Sequence, residues 1–217
     1  TDVGHASRPT PRLCTSEELS EMVGTGAVHQ GLVLSVGALP SLGLEDVLSP
    51  VGSTPPDNPS HGKRRPPLLL ALDQVTDPQN IGAIMRSASA FDVRAVLVQD
   101  RNSPHESGAM AKAASGALET VPMIRVTNIS RALKTAQEYG YWSVGLSADA
   151  GISLAQSIDS LGVETPRLIV MGSEGDGLRR LVAETCDQLA HLPMPGRMES
   201  LNVSVATAIA LYEATRK

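Results

Sequence analysis

Rings are nearly absent from this sequence: aromatic residues make up 2% of its 217 positions, with one Trp, one Phe and three Tyr. An array of stacked bases, as used by many single-strand binders, is therefore excluded, and any nucleic-acid contact has to rest on polar groups and backbone. Cysteine is equally scarce. Cys14 and Cys186 lie far apart, with no second thiol near either to suggest a zinc pair or a redox couple, so both read as free thiols and no metal is expected. No apolar run approaches the roughly 18 residues of a membrane helix, and the first residues lack a basic-then-apolar export signal. The expectation is a cytoplasmic, reducing location, in which Asn202-Val203-Ser204 is not a glycosylation site. The chain starts at Thr1 rather than Met, and a preceding segment is expected to be missing.

An excess of positive charge is also lacking. The formal net charge of −5 weighs against a nucleic-acid partner, because phosphate neutralisation needs a basic face. Lys63-Arg64-Arg65, Arg94, Arg101, Lys112, Arg179-Arg180 and Arg197 could supply such a face locally. Taken singly, each reads as a solvated surface charge.

What is there is enough apolar sequence, 41% hydrophobic against 19% charged, to bury a core. The length suits one full domain with an appendage. Residues 1–48 hold one helix signal, Thr15-Ser16-Glu17-Glu18-Leu19, and one strand signal, Gly31–Val36, too little for a separate core. Residues 49–66 are rich in proline and read as a linker. From residue 67 to 217 short apolar runs alternate with helical ones. Strands are expected near 68–72, 94–98, 121–126, 142–146, 167–171 and 189–192, and helices near 79–91, 107–117, 129–139, 177–185 and 202–215. That alternation implies an α/β fold with a mostly parallel sheet covered by helices on both faces.

Three segments could carry chemistry. Asp73 to Arg86 directly follows the first strand, at the carboxyl edge where open α/β sheets bind ligands. Asp77 and Pro78 read as N-cap and first helical position, and Ile81, Ile84, Met85, Ala88 and Phe91 mark the buried face. Arg86 lies well off that face and Asn80 in the first turn near one border; alone, the segment reads as a capped surface helix with an ordinary arginine. The second segment, Leu168 to Leu178, runs from a strand into the turn Gly172-Ser173-Glu174-Gly175-Asp176-Gly177. Its spacing matches neither a dinucleotide fingerprint nor a P-loop, and a carboxylate there would repel phosphate. Glu174 suits a ligand bearing hydroxyls or positive charge, although a plain tight turn explains the residues as well. In the third, Leu192 to Ser204, either Ser200 or Asn202 could be a simple helix cap. The helix that follows is apolar on nearly every face and needs cover within the chain and from another subunit.

Taken together, in this order and spacing, Asn80 with Arg86, Gly172-Ser173-Glu174-Gly175 and Ser200-Leu201-Asn202-Val203-Ser204 resemble the SpoU/TrmH branch of the SPOUT RNA methyltransferases, over about residues 67–217. The resemblance implies a C-terminal trefoil knot and a homodimer through the knot region. It implies S-adenosylmethionine held largely by backbone at Gly172, Leu192, Pro193, Met194 and Leu201, and a catalytic set of Asn80, Arg86, Glu174, Ser200 and Asn202. Ser16-Glu17-Glu18-Leu19 followed by Val28–Val33 resembles the end of an L30e-like RNA-binding domain, most of which would then be missing. That arrangement is closer to enzymes methylating a guanosine of large-subunit (23S) ribosomal RNA than to transfer-RNA enzymes.

Transfer to a ribose 2′-hydroxyl is an in-line displacement on an already activated methyl, so the protein must orient the reactants and help remove a proton. No histidine falls in the three segments. Arg86 is a poor base because a guanidinium stays protonated. It is expected instead to grip the target phosphate and favour the alkoxide-like transition state, with Asn80 and Glu174 framing it and Ser200 and Asn202 orienting the ribose or the cofactor loop. The alternatives are a transfer-RNA enzyme, a non-catalytic RNA-binding or ribosome-assembly protein of the same fold, and a nucleotide-dependent metabolic enzyme.

Overall fold

A computed structural model describes residues 10–24, 29–37, 39, 41–48, 66–101 and 103–216, in two compact units, Thr1–Ala38 and Leu39–Lys217. In the first unit, α1 (Ser16–Val23) begins at a capping box: Glu18 N donates to Thr15 Oγ1 at 3.2 Å, and Thr15 N donates to Glu18 Oε2 at 2.7 Å. The strand expected over Gly31–Val36 does not form. Gly31 belongs to a turn, residues 32–37 are irregular, and Leu32, Leu34 and Val36 are exposed. A β-branched run makes a strand only with a neighbour to pair with, and among the described residues of this unit there is none. The proline-rich stretch at 49–65, with Lys63-Arg64-Arg65, lies outside the described residues.

In the second unit the elements are α2 (Leu44–Val47), β1 (Leu68–Leu72), α3 (Pro78–Ala90), β2 (Ala95–Gln99), α4 (Gly108–Ala114), β3 (Met123–Val126), α5 (Ile129–Glu138), β4 (Trp142–Leu146), α6 (Leu154–Ser160), β5 (Arg167–Met171), α7 (Arg180–Thr185), β6 (Gln188–Ala190) and α8 (Val203–Thr215). The six strands form one parallel sheet in the order β3-β2-β1-β5-β4-β6. The pleat divides the side chains of β1 between two cores. Leu68, Leu70 and Leu72 pack with Ile81, Ile84 and Met85 of α3 and with Ala210 and Leu211 of α8. Leu69 and Ala71 pack on the other face with Ala132, Leu133 and Val182. Leu44, Val47 and Leu48 join this second core, so the unit takes in residues that the sequence grouped with the N-terminal piece.

Two differences from the expected elements have local causes. The helix expected to reach 117 stops at Ala114, because Ser115 (φ 51°) and Gly116 (φ 90°) turn left-handed before a 3-10 turn at Ala117–Glu119. The helix expected from 177 starts at Arg180, because Ser173 and Gly177 bridge each other across a tight turn.

α8 packs on α3, α6 and β5. Its far end is held by Arg167, a buried residue at the start of β5, whose Nη1 donates to the Ala214 carbonyl at 2.5 Å. A cation there satisfies an orphan carbonyl and complements the helix dipole. Burial lowers the Arg167 pKa from its ordinary value.

Candidate active site

β1 lies between β2 and β5, so the chain leaves β1 and β5 at adjacent points on the carboxyl edge, where the strand order reverses direction. Open α/β sheets gather ligand-binding loops at such a point. The first two motif segments are the loops that follow these strands. Between β1 and α3 the backbone turns at Gln74 (φ 59°), and Asp77 caps α3 by accepting from Gln79 N at 3.0 Å, with Pro78 at the first turn. Gly82 lets α3 lie against α4: a Cβ there would sit 2.4 Å from the Met110 carbonyl oxygen. After β5, Gly172 meets Gly177 so closely that a Cβ would sit 2.1 Å from the Gly177 carbonyl carbon. Gly175 (φ 91°) and Gly177 (φ 66°) supply the left-handed turn that presents Glu174.

One oxygen of Glu174 gathers all three segments. Its Oε1 accepts from Asn80 Nδ2 at 3.2 Å, from Asn202 Nδ2 at 2.8 Å and from the Val203 backbone N–H at 3.0 Å. Asn202 Nδ2 also donates to Asn80 Oδ1 at 3.0 Å, which closes a triangle. The amide orientation of Asn202 is self-consistent, since its Oδ1 accepts from Ser204 N at 2.9 Å and caps α8. Asn202 is therefore a helix cap and a member of the cluster at once. The Glu174 carboxylate stands at the N-terminus of α8, where its oxygen satisfies the otherwise orphan Val203 N–H.

Arg86 does not join this frame. It is exposed, and among the described residues it makes no hydrogen bond or ion pair, so the expectation that Asn80 and Glu174 hold it is corrected. The cause is helical phase: six residues on from Asn80, a side chain points about 120° away and lies nearly two turns further along. Ser200 is likewise exposed and outside the hydrogen-bonded triangle.

In the segment that runs from β6 toward Asn202, Leu192, Pro193 and Met194 line an open cavity of about 470 Å³, together with Ala148, His191 and residues 196–199. This is within the range that holds a nucleoside-sized ligand, and its lining mixes the apolar Leu192, Pro193, Met194 and Met198 with the polar His191, Arg197 and Glu199. Gly172 and Leu201 are not among the residues that line it. Two contributors had no sequence signal: Ala148 comes from the loop after β4, and His191 is turned by a 2.8 Å hydrogen bond between Nδ1 and the Ala150 carbonyl.

A second buried connection was also missed. Asp73, fully buried at the end of β1, accepts from Arg179 N at 2.9 Å and Nε at 2.8 Å and pairs with Nη2 at 2.6 Å. Arg179, counted above among possible surface charges, is thus committed to a buried carboxylate, although its own side chain stays partly exposed. Nearby, burial first, and then the Asp187 and Asp73 carboxylates, push the Cys186 thiol up to about 12.

Residues 67–212 match the SpoU rRNA Methylase family. The chain belongs to that family. It is 43% identical over 196 residues to the 23S rRNA (guanosine-2′-O-)-methyltransferase RlmB of Vibrio parahaemolyticus, covering 88% of this chain and 72% of that protein. The protein of the same name from Ralstonia nicotianae is 42% identical over 203 residues, covering 93% and 75%. Among solved structures, the AdoMet-bound rRNA methyltransferase of Sinorhizobium meliloti superposes with a TM-score of 0.66 at 25% identity, covering 82% of this chain and 61% of that one. AviRb of Streptomyces viridochromogenes in complex with AdoMet gives 0.62 at 26% identity, covering 75% and 62%. The chain thus spans less than two thirds of these structures.

Proposed function

We propose that this chain is an S-adenosylmethionine-dependent RNA methyltransferase that modifies a ribose 2′-hydroxyl, on a guanosine of 23S ribosomal RNA, in the cytoplasm. The observation that carries the reading is the meeting of Asn80, Glu174 and Asn202 at the β1/β5 edge, within a family match that spans all three segments. The cofactor supplies an electrophilic methyl group. Leu192, Pro193 and Met194 hold it, with backbone of Gly172 and Leu201 at the margin of the same site. Asn80, Glu174 and Asn202 form the rigid floor on which the ribose is placed, and Ser200 orients the ribose from its exposed loop.

Arg86 acts from outside the triangle, gripping the phosphate next to the target and stabilising the oxygen as it loses its proton. As a guanidinium it serves best as a clamp and electrostatic activator, with the proton passing to phosphate or water. Residues 1–38 are the remnant of an L30e-like substrate-binding domain, without the stretch up to 48 whose Leu44, Val47 and Leu48 join the core of the second unit, and 49–66 is a linker segment.

The working form is a homodimer through a trefoil-knotted C-terminal region. Two features support this. The chain passes from β6 at the sheet edge back to α8, packed on α3 and β5. Val205, Ile209 and Tyr212 then form an exposed apolar stripe along α8, at spacings that keep them on one side of the helix, and the exposed Leu201 precedes its cap.

Incubation with labelled S-adenosylmethionine and either 23S ribosomal RNA or transfer RNA tests the reading, followed by mapping of 2′-O-methyl positions. Label on a 23S guanosine is expected. Binding of S-adenosylmethionine without transfer to either RNA would favour a non-catalytic RNA-binding protein.

A further inference from the structure

The Asp73–Arg179 pair adds a side-chain link between two loops just beyond the strand pairing, which runs to Leu72 opposite Met171 and ends with the Asp73 N–H donating to the Met171 carbonyl at 2.8 Å. One is the left-handed turn at Gln74, from which α3 and Asn80 hang; the other is the turn through Gly175 and Gly177 that carries Glu174. Asp73 is fully buried and its carboxylate is met by three donors of a single residue, a geometry that resists both rotation and separation. Gly172 is already fixed by β5 and by its contact with Gly177, so the end of the strand needs no clamp. The tip of the turn does. Glu174 reaches Asn80 at 3.2 Å, near the limit of a useful hydrogen bond, so a small displacement of either loop opens the triangle.

We propose that Arg179 is a positioning residue for methyl transfer: clamped by Asp73, it sets the separation of the two loops at which Glu174 can hold Asn80, Asn202 and the start of α8 together. It touches neither reactant, and acts on them only through Glu174. The proposal rests on the methyltransferase reading for its kinetic part and is independent of it for its structural part.

The test compares wild type with Arg179→Lys, which keeps the charge and loses the fork, and with Asp73→Asn, which keeps the shape and loses the ion pair. Thermal melts establish that each variant is folded. With RNA and S-adenosylmethionine, kcat is expected to fall about tenfold while KM for S-adenosylmethionine stays within about threefold. Adding Arg179→Lys to Asn80→Ala is expected to lower kcat little further, because the triangle is already open. Amide exchange gives a readout without activity: the Val203 and Ser204 N–H groups should exchange faster in the variants, with the interior of α3 unchanged. Full kcat or unchanged exchange at 203–204 in a folded Arg179→Lys variant overturns the proposal, as does a fully multiplicative double variant. If wild type transfers no methyl group to RNA the functional reading fails, and the exchange measurement still decides the clamp. Should Arg179→Lys not fold, Asp73→Asn carries the same three comparisons.

Discussion

The Nδ2 of Asn202 donates to Glu174 Oε1 at 2.8 Å, so the residue that caps α8 is itself held by the turn after β5. Helix capping and the proposed catalytic frame coincide in this contact. Glu174→Ala removes the acceptor shared by Asn80, Asn202 and the Val203 N–H. It should destabilise the protein by about 1–2 kcal/mol, through an uncapped helix end and unpaired amides. Methyl transfer should fall at least about tenfold. Chemical denaturation and a methylation assay on the same preparation separate the two losses, and Glu174→Gln, which retains an acceptor oxygen, should recover most of the stability.

Arg86 has no partner to lose among the described residues, so Arg86→Ala should melt within about 0.5 kcal/mol of wild type, as for most surface substitutions. Methyl transfer should nevertheless be abolished and calorimetric affinity for S-adenosylmethionine retained. Arg86→Lys should also be severely impaired, since an ammonium cannot grip phosphate through two parallel bonds. Full turnover by either variant on its RNA would remove Arg86 from the mechanism.

Gly172→Ala places a methyl group against the Gly177 backbone, where no flexible side chain can give way. A loss of about 1–3 kcal/mol is expected from overpacking, together with weaker S-adenosylmethionine binding as the turn is pushed out. Gly151→Ala is the control, because nothing lies within 4 Å of a Cβ there.

Cys186 should stay a thiol well above neutral pH, because burial and two neighbouring carboxylates push it up to about 12. Iodoacetamide reacts with the thiolate, so Cys186 in the folded protein should be modified far more slowly at pH 8.5 than in urea. The linkage follows from the same shift. The folded state keeps a proton that the unfolded state gives up near its ordinary value, so this contribution is complete below about pH 8.5 and declines as pH rises toward 12, by at most about 1.4 kcal/mol per unit. Cys186→Ala should flatten the alkaline limb of a stability profile; an unchanged limb would assign it to other groups.

Ile209→Asp, in the middle of the exposed stripe on α8, should convert a dimer into a monomer in light scattering after gel filtration, with little change in the melt of the subunit itself. A wild-type protein that is monomeric at micromolar concentration would rule out this interface.

The sheet and most helices were legible because each strand of a parallel sheet reads as a continuous apolar run, and β1, β4 and β5 form where those runs lie. α6 was passed over although its signal was present: Ser153 and Gln156 form a capping box, but only Leu154 and Ile158 give it an apolar face. The Gly31–Val36 run misled for the opposite reason, since a local preference for extension is not a partner. Within the site, motif spacing led to Asn80, Glu174 and Asn202, which do meet. The direction of Arg86 was also within reach of the spacing, since a six-residue step on a helix rotates the side chain off the Asn80 direction. No local pattern could join Asp73 to Arg179, 106 residues away. That pairing exists only once β1 and β5 are side by side.

One strand and its exit turn grip α8 at both ends: Arg167 holds the Ala214 carbonyl and Glu174 holds the Val203 N–H. β5 consequently works as a gauge for the helix. A residue inserted between Val203 and Ala214 would lengthen α8 by about 1.5 Å and rotate everything beyond it by about 100°, so that one grip or the other must slip. Substitutions on the outer face meet no such check. What α8 presents to its surroundings is therefore free to change, while its length stays calibrated to the strand beneath it.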